Sequence, residues 1–149
     1  MNIKSISISN NNCNNSEYTI FNFSRFNLLE ELIIGNDCFC SVNLFKIDGL
    51  NHLKSIKIGM NSFTLLKNSD KWDYSKANNG NRSFHILNCD ELKSIEIGSF
   101  SFSDYGSGFE LVYLPKLESI KIGIIGTDSS NFLCSSFEIN GIIDDIANE

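Results

Sequence analysis

Several features that would point to a specialised class of protein are missing from this sequence. Among its 149 residues there is one proline and almost no alanine, and no apolar run approaches the roughly 18 residues of a membrane span. Collagen-like and mucin-like chains are excluded because both depend on strongly biased proline, glycine or serine usage. Disorder over the whole chain is excluded too, because 42% of the residues are hydrophobic and 12 are phenylalanine. The length then predicts a single domain over residues 1–149.

An excess of basic charge is also lacking. The net charge is −6 and the isoelectric point is near 4.9, whereas nucleic-acid affinity depends on lysine and arginine displacing counterions. We therefore expect no nucleic-acid partner. Residues 3–9 alternate between apolar and polar, so they do not form the continuous apolar stretch of a signal peptide. The expectation is a soluble chain without membrane insertion, and a cytoplasmic location is favoured.

Cysteine pairs with metal-site spacing are absent as well. The five cysteines include no CxxC pair, and the CxC of Cys38 and Cys40 supplies at most half of a tetrahedral zinc site. We expect free, mostly buried thiols in a reducing compartment, with no metal and no cofactor. His52 and His85 are not placed near a nucleophile by any pattern in the sequence, so no catalytic residue is predicted and the protein is expected to be non-catalytic.

What the sequence does contain is a repeat. The segment Leu53–Gly59, read LKSIKIG, recurs as LKSIEIG at 92–98 and LESIKIG at 117–123, with looser copies at 29–35 and 3–9. An upstream element with Phe at its start, such as Phe45-x-Ile47-x-x-Leu50, precedes each full copy. The last apolar positions are 26, 24, 39 and 25 residues apart, so one repeat carries an insertion, which we place at about residues 67–82.

The apolar spacing within each copy predicts strands. Both Ile-x-Ile and Phe-x-Ile are period-two steps of β-branched or aromatic residues, and these steps fit short strands better than a helix. A coil of about 25 residues cannot bury six apolar side chains by itself, so successive coils must stack. The fold class predicted is mainly β, a solenoid of about five stacked coils with parallel strands and little helix. Glycine after the strand, as in Gly59 and Gly98, fits either a positive φ or close backbone packing, and Phe39, Phe63 and Phe102 would fill the corner of the core.

At this point the residues resemble a known family. Leu53-x-x-Ile56-x-Ile58-x-x-Asn61-x-Phe63 is similar to the leucine-rich repeat signature LxxLxLxxNxL. The Ile58–Phe63 segment is similar to the IGxxAF element of BspA-like leucine-rich repeats. The chain departs from the family at the Asn position, which is Asp37, Phe100 and Ile125 in other copies. A regular Asn ladder and a helix-backed horseshoe are therefore not expected. The resemblance implies a scaffold for protein interaction.

Two surfaces are candidates for binding a partner. On the leucine-rich repeat interpretation, the outward positions of the LKSIKI strands form a concave face, which serves either to keep the stack solvated or to dock a partner. We expect oppositely charged residues to meet on this face across neighbouring coils, as at Lys57 and Glu96. Its candidate residues are Lys54, Ser55, Lys57, Lys93, Ser94, Glu96, Glu118, Ser119 and Lys121.

The insertion is the second candidate surface. It contains the only tryptophan, Trp72, close to Tyr74, and basic residues in an acidic protein, namely Lys67, Lys71, Lys76 and Arg82. Insertions in solenoid repeats form loops that often bind a partner. An Asn- and Gly-rich loop without a role is the other interpretation of this segment. The candidate binding residues here are Lys71, Trp72, Tyr74 and Lys76.

Two functions are consistent with these features. The first is a leucine-rich-repeat scaffold that binds a protein or a glycan. The second is a structural segment of a longer solenoid or surface protein, without a ligand of its own. The second reading rests on the ends of the repeat: solenoids normally carry polar caps, whereas the first copy begins a strand at Ile3, and end-to-end self-association would follow. Trp72→Ala together with Tyr74→Ala is the variant that tests the insertion.

Overall fold

Short strands and one helical turn follow the repeat along the described residues. The computed structural model describes residues 2–67, 74–124 and 129–141. Within these ranges the elements are β1 Ser5–Ile8, β2 Ile20–Asn22, β3 Glu31–Ile34, β4 Leu44–Asp48, β5 Ser55–Ile58, α1 Tyr74–Ala77, β6 Ser83–Leu87, β7 Ser94–Ile97, β8 Gly108–Val112, β9 Ser119–Ile122 and β10 Phe137–Asn140.

The strands form two five-stranded parallel sheets. The LKSIKI strands pair in the order β1-β3-β5-β7-β9, and we call this the Ile sheet. The upstream strands pair in the order β2-β4-β6-β8-β10, and we call this the Phe sheet. Equivalent repeat positions pair across coils, so Ile56 lies beside Leu32 and Ile95. The fold is therefore a β-solenoid of about five coils with almost no helix in the described ranges, as the sequence predicts.

Two ladders of phenylalanine fill the core between the sheets. In the Phe sheet, the rings of Phe45 and Phe84 stack with centroids 4.7 Å apart. At the corner after the Ile sheet, the rings of Phe63 and Phe102 stack 4.8 Å apart. The two ladders meet edge to face, as between Phe45 and Phe63 at 88°, the geometry that aromatic quadrupoles favour. The predicted corner role of Phe39, Phe63 and Phe102 is confirmed, and Phe132 extends that ladder by one coil.

A ladder of polar side chains, which the repeat pattern does not indicate, holds this corner together. It lies one position after the Asn position of the leucine-rich signature. The residues on either side of a ladder position, such as Asn61 and Phe63, both have positive φ. The Ser62 hydroxyl donates to Gly35 O at 2.8 Å and accepts from Cys38 N at 3.1 Å. Ser101 repeats the contact one coil later, to Gly59 O at 2.6 Å. Equivalent positions are occupied by Asn12, Cys38, Ser62, Ser101 and Asn131.

The conserved glycines allow the coils to approach each other at this corner. A Cβ on Gly98 would lie 2.5 Å from Gly59 C and 2.7 Å from Met60 N. Gly35 and Gly59 are crowded in the same way by the preceding coil. Close backbone packing is thus the reason for glycine at these three positions, whereas Gly123 alone among the four has a positive φ, of 68°. Coil 1, which has no coil in front of it in the described structure, carries Ser9 at this position.

Candidate functional site

The candidate concave-face residues come together on the outer surface of the Ile sheet. Ser55, Ser94 and Ser119 align in one column, and Lys57, Glu96 and Lys121 align in the next. The positions just before the strands form a third column, which contains Lys54, Lys93 and Glu118. The structure therefore assembles all nine predicted residues on one face of three neighbouring coils.

Most of the charges on this face pair with one another. Lys57 Nζ lies 3.6 Å from Glu96 Oε2, as predicted, and Lys121 Nζ lies 4.0 Å from Glu96 Oε1. Lys93 Nζ lies 3.6 Å from Glu118 Oε1. These side chains are about half exposed or more, so each pair stabilises the stack by at most about 1 kcal/mol.

The tightest ion cluster on the face surrounds Glu30. Lys54 Nζ donates to Glu30 Oε2 at 2.6 Å, and Lys4 Nζ lies 2.9 Å from Oε1. Hydrogen bonds from Lys54 and Lys4 lower the pKa of Glu30 to about 2, and the same contact raises the pKa of Lys54. The Ile-sheet face is thus largely self-neutralised, and none of its nine candidate residues is aromatic. It fits a solvated face better than a docking surface with aromatic anchors.

The insertion returns to the stack through a buried ion pair. Arg82 is fully buried, and its guanidinium bonds Asp104 Oδ2 and the carbonyls of Cys40 and Val42, both at 2.7 Å. The Tyr105 ring lies 5.0 Å from the guanidinium carbon. Burial raises the pKa of the Tyr105 hydroxyl, which donates to Val42 O at 2.6 Å.

This arrangement corrects one expectation from the sequence. Arg82 was predicted to belong to the basic set of the insertion loop, but it is a core residue directly before β6. Its side chain can be buried because Asp104, 22 residues later, neutralises it and backbone carbonyls accept its remaining N–H groups. At the other end of the insertion, Lys67 Nζ lies 2.7 Å from Asp37 Oδ1, so both ends of the insertion are tied to the stack.

A cavity of about 810 Å³ opens beside the insertion. Lys76, on α1, lines it together with Leu65, Leu66 and Asp104, and Leu65 is 62% exposed. Its remaining lining residues are Ser75, Asn78, Asn79, Gly80 and Asn81. The cavity therefore combines exposed apolar surface, a cation and several amides, the composition of a recognition surface.

The other predicted loop residues are only partly placed. Tyr74 begins α1, while Trp72 and Lys71 lie outside the described residues. Of the predicted loop set, the structure puts Lys76 on the cavity wall. No single signal in the sequence identifies the rest of the lining, because Leu65 and Asp104 come from different coils and meet only through stacking.

The remaining chemically active side chains are held by structural contacts. His85 Nδ1 lies 2.6 Å from Glu110 Oε2 on the outer face of the Phe sheet. Cys38 and Cys89 are buried, while Cys13, Cys40 and Cys134 are partly buried. Burial raises the pKa of the Cys89 thiol to about 11. Within the described ranges, no three His, Cys, Asp or Glu side chains are grouped closely enough to hold a metal ion, and no helix there has the length and apolarity to cross a membrane.

Comparison with known proteins adds no relative to this picture. No family model, curated protein or solved structure matches the chain. The functional reading therefore depends on the geometry and chemistry of its own residues.

Proposed function

We propose that this protein is a non-catalytic, leucine-rich-repeat-type scaffold that binds a partner protein at the cavity beside the insertion. The observation that carries the proposal is the exposed Leu65 next to Lys76 on the wall of an 810 Å³ cavity. Protein interfaces combine an apolar anchor with a polar rim, and this cavity offers both. On the Ile-sheet face, by contrast, most charged side chains pair with one another within the stack.

The contacts below the cavity also support recognition at this place. Arg82 and Asp104 fix the floor, since Asp104 Oδ2 accepts from Leu65 N at 3.2 Å as well as from the guanidinium. A surface that is rigid before binding loses less conformational entropy when the partner arrives. A binding cavity built on this pair would therefore be preorganised by the solenoid itself.

The absence of a catalytic role is supported by the state of the reactive groups. The Cys89 thiol is protonated near neutral pH because its pKa is about 11, and a thiol in that form is a poor nucleophile. The His85 ring is hydrogen-bonded to Glu110, and His52 is exposed in a turn before β5. These groups give no arrangement of nucleophile and base.

Two matched double variants test the proposal. Leu65→Ser with Lys76→Ser alters the cavity wall, and Lys57→Ser with Lys121→Ser alters the Ile-sheet face, where both lysines are exposed. Each protein is used to capture partners from cells of its source, with quantitative mass spectrometry as the readout, and is applied to a glycan array. We expect a defined set of proteins that wild type and the face variant retain and the cavity variant loses.

The opposite results would overturn the proposal. Captured proteins that do not differ between the two variants would exclude the cavity as the binding surface. Loss of binding in the face variant alone would move the site to the Ile sheet, and binding confined to the glycan array would replace the protein partner by a glycan.

One observation favours the alternative of a structural segment without its own ligand. In the described part of the chain the apolar ladders end at β10, where Phe137 is 56% and Ile139 is 53% exposed. Exposed ladder ends suit continuation of a stack. Polymerisation at micromolar concentration, seen by light scattering, together with no captured partner would support this alternative.

A further inference from the structure

We propose that the open edge of β9 binds an extended strand of a partner protein in parallel, and that it selects strands with the order lysine, any residue, apolar, acidic, apolar. This interaction lies at the C-terminal end of the Ile sheet and does not depend on the cavity proposed above. It would add a sixth strand to the sheet, a mode of peptide recognition known as β-augmentation.

The inward side chains of β9 are the exposed end of the core. Ile120 is 38% and Ile122 is 37% exposed, whereas Ile95 and Ile97, their equivalents one coil earlier, are 1% and 2% exposed. β9 pairs with β7 on one edge and is the last strand of the sheet in the described part of the chain. A strand with apolar residues at alternate positions would cover both isoleucines as each earlier coil is covered.

The backbone at this edge offers acceptors in the direction the stack requires. At both ends of the Ile-sheet strands an N–H of the later coil donates to a carbonyl of the earlier coil, as Glu118 N does to Lys93 O at 2.9 Å and Gly123 N to Ile97 O at 2.8 Å. The carbonyls of Glu118 and Ile122 are the corresponding acceptors for a following strand. A parallel partner strand would therefore continue the existing hydrogen-bond pattern.

The outward-facing charges of β9 favour an incoming strand with one particular order of charges. In the two charged columns Lys93 is followed by Glu118, and Glu96 by Lys121, each as a salt bridge between coils. The next strand in this alternation carries lysine beside Glu118 and an acidic residue beside Lys121. That order is found at β7 itself, which directly follows Lys93 and contains Glu96 between Ile95 and Ile97. Opposite charges in such pairs stabilise and like charges destabilise.

A second copy of this chain fits the edge less well than a partner strand does. In a second copy stacked head to tail, Ser9 would occupy the position where a Cβ at Gly35, Gly59 or Gly98 meets the preceding backbone at less than 3 Å.

The test uses two peptides that differ only in charge order. One has the sequence of residues 92–98, Leu-Lys-Ser-Ile-Glu-Ile-Gly, and the other exchanges the charges, Leu-Glu-Ser-Ile-Lys-Ile-Gly. Both are fluorescein-labelled and titrated with the protein by anisotropy. We expect the first peptide to bind at least about five-fold more tightly, since two pairs change from attractive to repulsive. Glu118→Lys with Lys121→Glu should reverse the preference.

Several results would overturn this inference. No binding of either peptide would show that β9 is a protected edge, and equal binding would show that contact is made through apolar surface alone. Glu118→Lys with Lys121→Glu also places like charges beside Lys93 and Glu96, so the fold of this variant is checked by circular dichroism. The comparison of the two peptides on the wild-type protein does not depend on this variant. Sedimentation velocity tests the second copy, since a dimer that excess peptide does not disperse would assign the edge to self-association.

The cavity variant separates this interaction from the proposed function. Leu65→Ser with Lys76→Ser should leave the affinity for the first peptide unchanged, because these residues lie on the cavity wall rather than on β9. A loss of peptide binding in that variant would place the peptide in the cavity and would overturn the assignment to β9.

Discussion

Replacing Gly98 by alanine should force two coils apart. A Cβ at this position would lie 2.5 Å from Gly59 C, 2.7 Å from Gly59 O and 2.7 Å from Met60 N. Normal contacts between carbon atoms are about 3.5–4.0 Å, and all three opposing atoms are backbone, so no side chain can rotate away. The φ of Gly98 is not in the left-handed region, and the whole effect of the substitution is therefore steric.

The size of the effect follows from the contacts that must open. Overpacking of a well-packed interior costs about 1–3 kcal/mol and sometimes more. Moving the backbone of coil 3 away from coil 4 also lengthens the Ser101 Oγ to Gly59 O bond of 2.6 Å and the Gly98 N to Ile58 O bond of 2.8 Å. We expect a loss of about 3 kcal/mol, which lowers the melting temperature by about 6–12 °C in a chain of this size.

Thermal unfolding followed by circular dichroism measures this loss, and Gly80→Ala is the matched control. No atom lies within 4 Å of a Cβ at Gly80, and its φ is not left-handed, so alanine there should be neutral or slightly stabilising. Ser9→Gly should also change stability little, since Ser9 has no preceding coil to contact in the described structure. Equal melting temperatures for Gly98→Ala and Gly80→Ala would refute the account of the glycine positions.

Three further outcomes are expected. Arg82→Ala should destabilise the protein by about 3–5 kcal/mol in urea unfolding, because it leaves Asp104 buried without its cation. Arg82→Met keeps more of the packing but also leaves Asp104 without its cation, so it should be destabilising as well. A cost below about 1 kcal/mol for Arg82→Ala would contradict the buried pair. The Glu30 carboxyl should titrate near pH 2 when it is followed by NMR. Because its pKa is lowered in the fold, its ionisation should stabilise the fold fully above the ordinary pKa of 4.5, and this stabilisation should be lost as the pH falls toward 2. Lys54→Ala should raise the pKa of Glu30, and an unchanged pKa would exclude the contact. Finally, Cys89 should react with a thiol reagent at pH 8 only after unfolding, because its pKa is about 11 and its side chain is buried; labelling as fast as that of a denatured control would contradict its burial.

The sequence predicts the repeat architecture well because the apolar positions recur at a nearly constant spacing. The pairing of Ile56 with Ile95 and the contact of Lys57 with Glu96 both follow from alignment of the copies. Each coil repeats the same local preference, and stacking then aligns like with like. Arg82, which the sequence places with the basic residues of the loop although it is buried, lies where the repeat is interrupted.

The polar corner ladder could not be predicted because its members share function rather than identity. Asn12, Cys38, Ser62, Ser101 and Asn131 differ in size and chemistry. The last four each donate to a carbonyl in the turn of the preceding coil, whereas Asn12 in the first coil donates to carbonyls of its own turn. The alignment draws attention instead to the preceding position, where Asn61 matches the leucine-rich signature. In the structure that position has a positive φ, which asparagine tolerates better than most residues.

Arg82 and the cavity could not be predicted for a different reason. An arginine in an Asn- and Gly-rich segment is normally exposed, and its burial depends on Asp104, which lies in another coil. The cavity wall likewise combines Leu65 with residues that follow α1. Contacts between segments that do not occupy equivalent repeat positions carry no periodic signal, so only the folded chain reveals them.

The anchoring of the insertion has a consequence for engineering. Lys67 is held by Asp37 where the chain leaves the stack, and Arg82 is held by Asp104 and two carbonyls where the chain returns. The solenoid therefore holds the chain at a fixed point on each side of the insertion. A foreign peptide introduced between these two points would be presented beside the cavity on a small parallel-β frame.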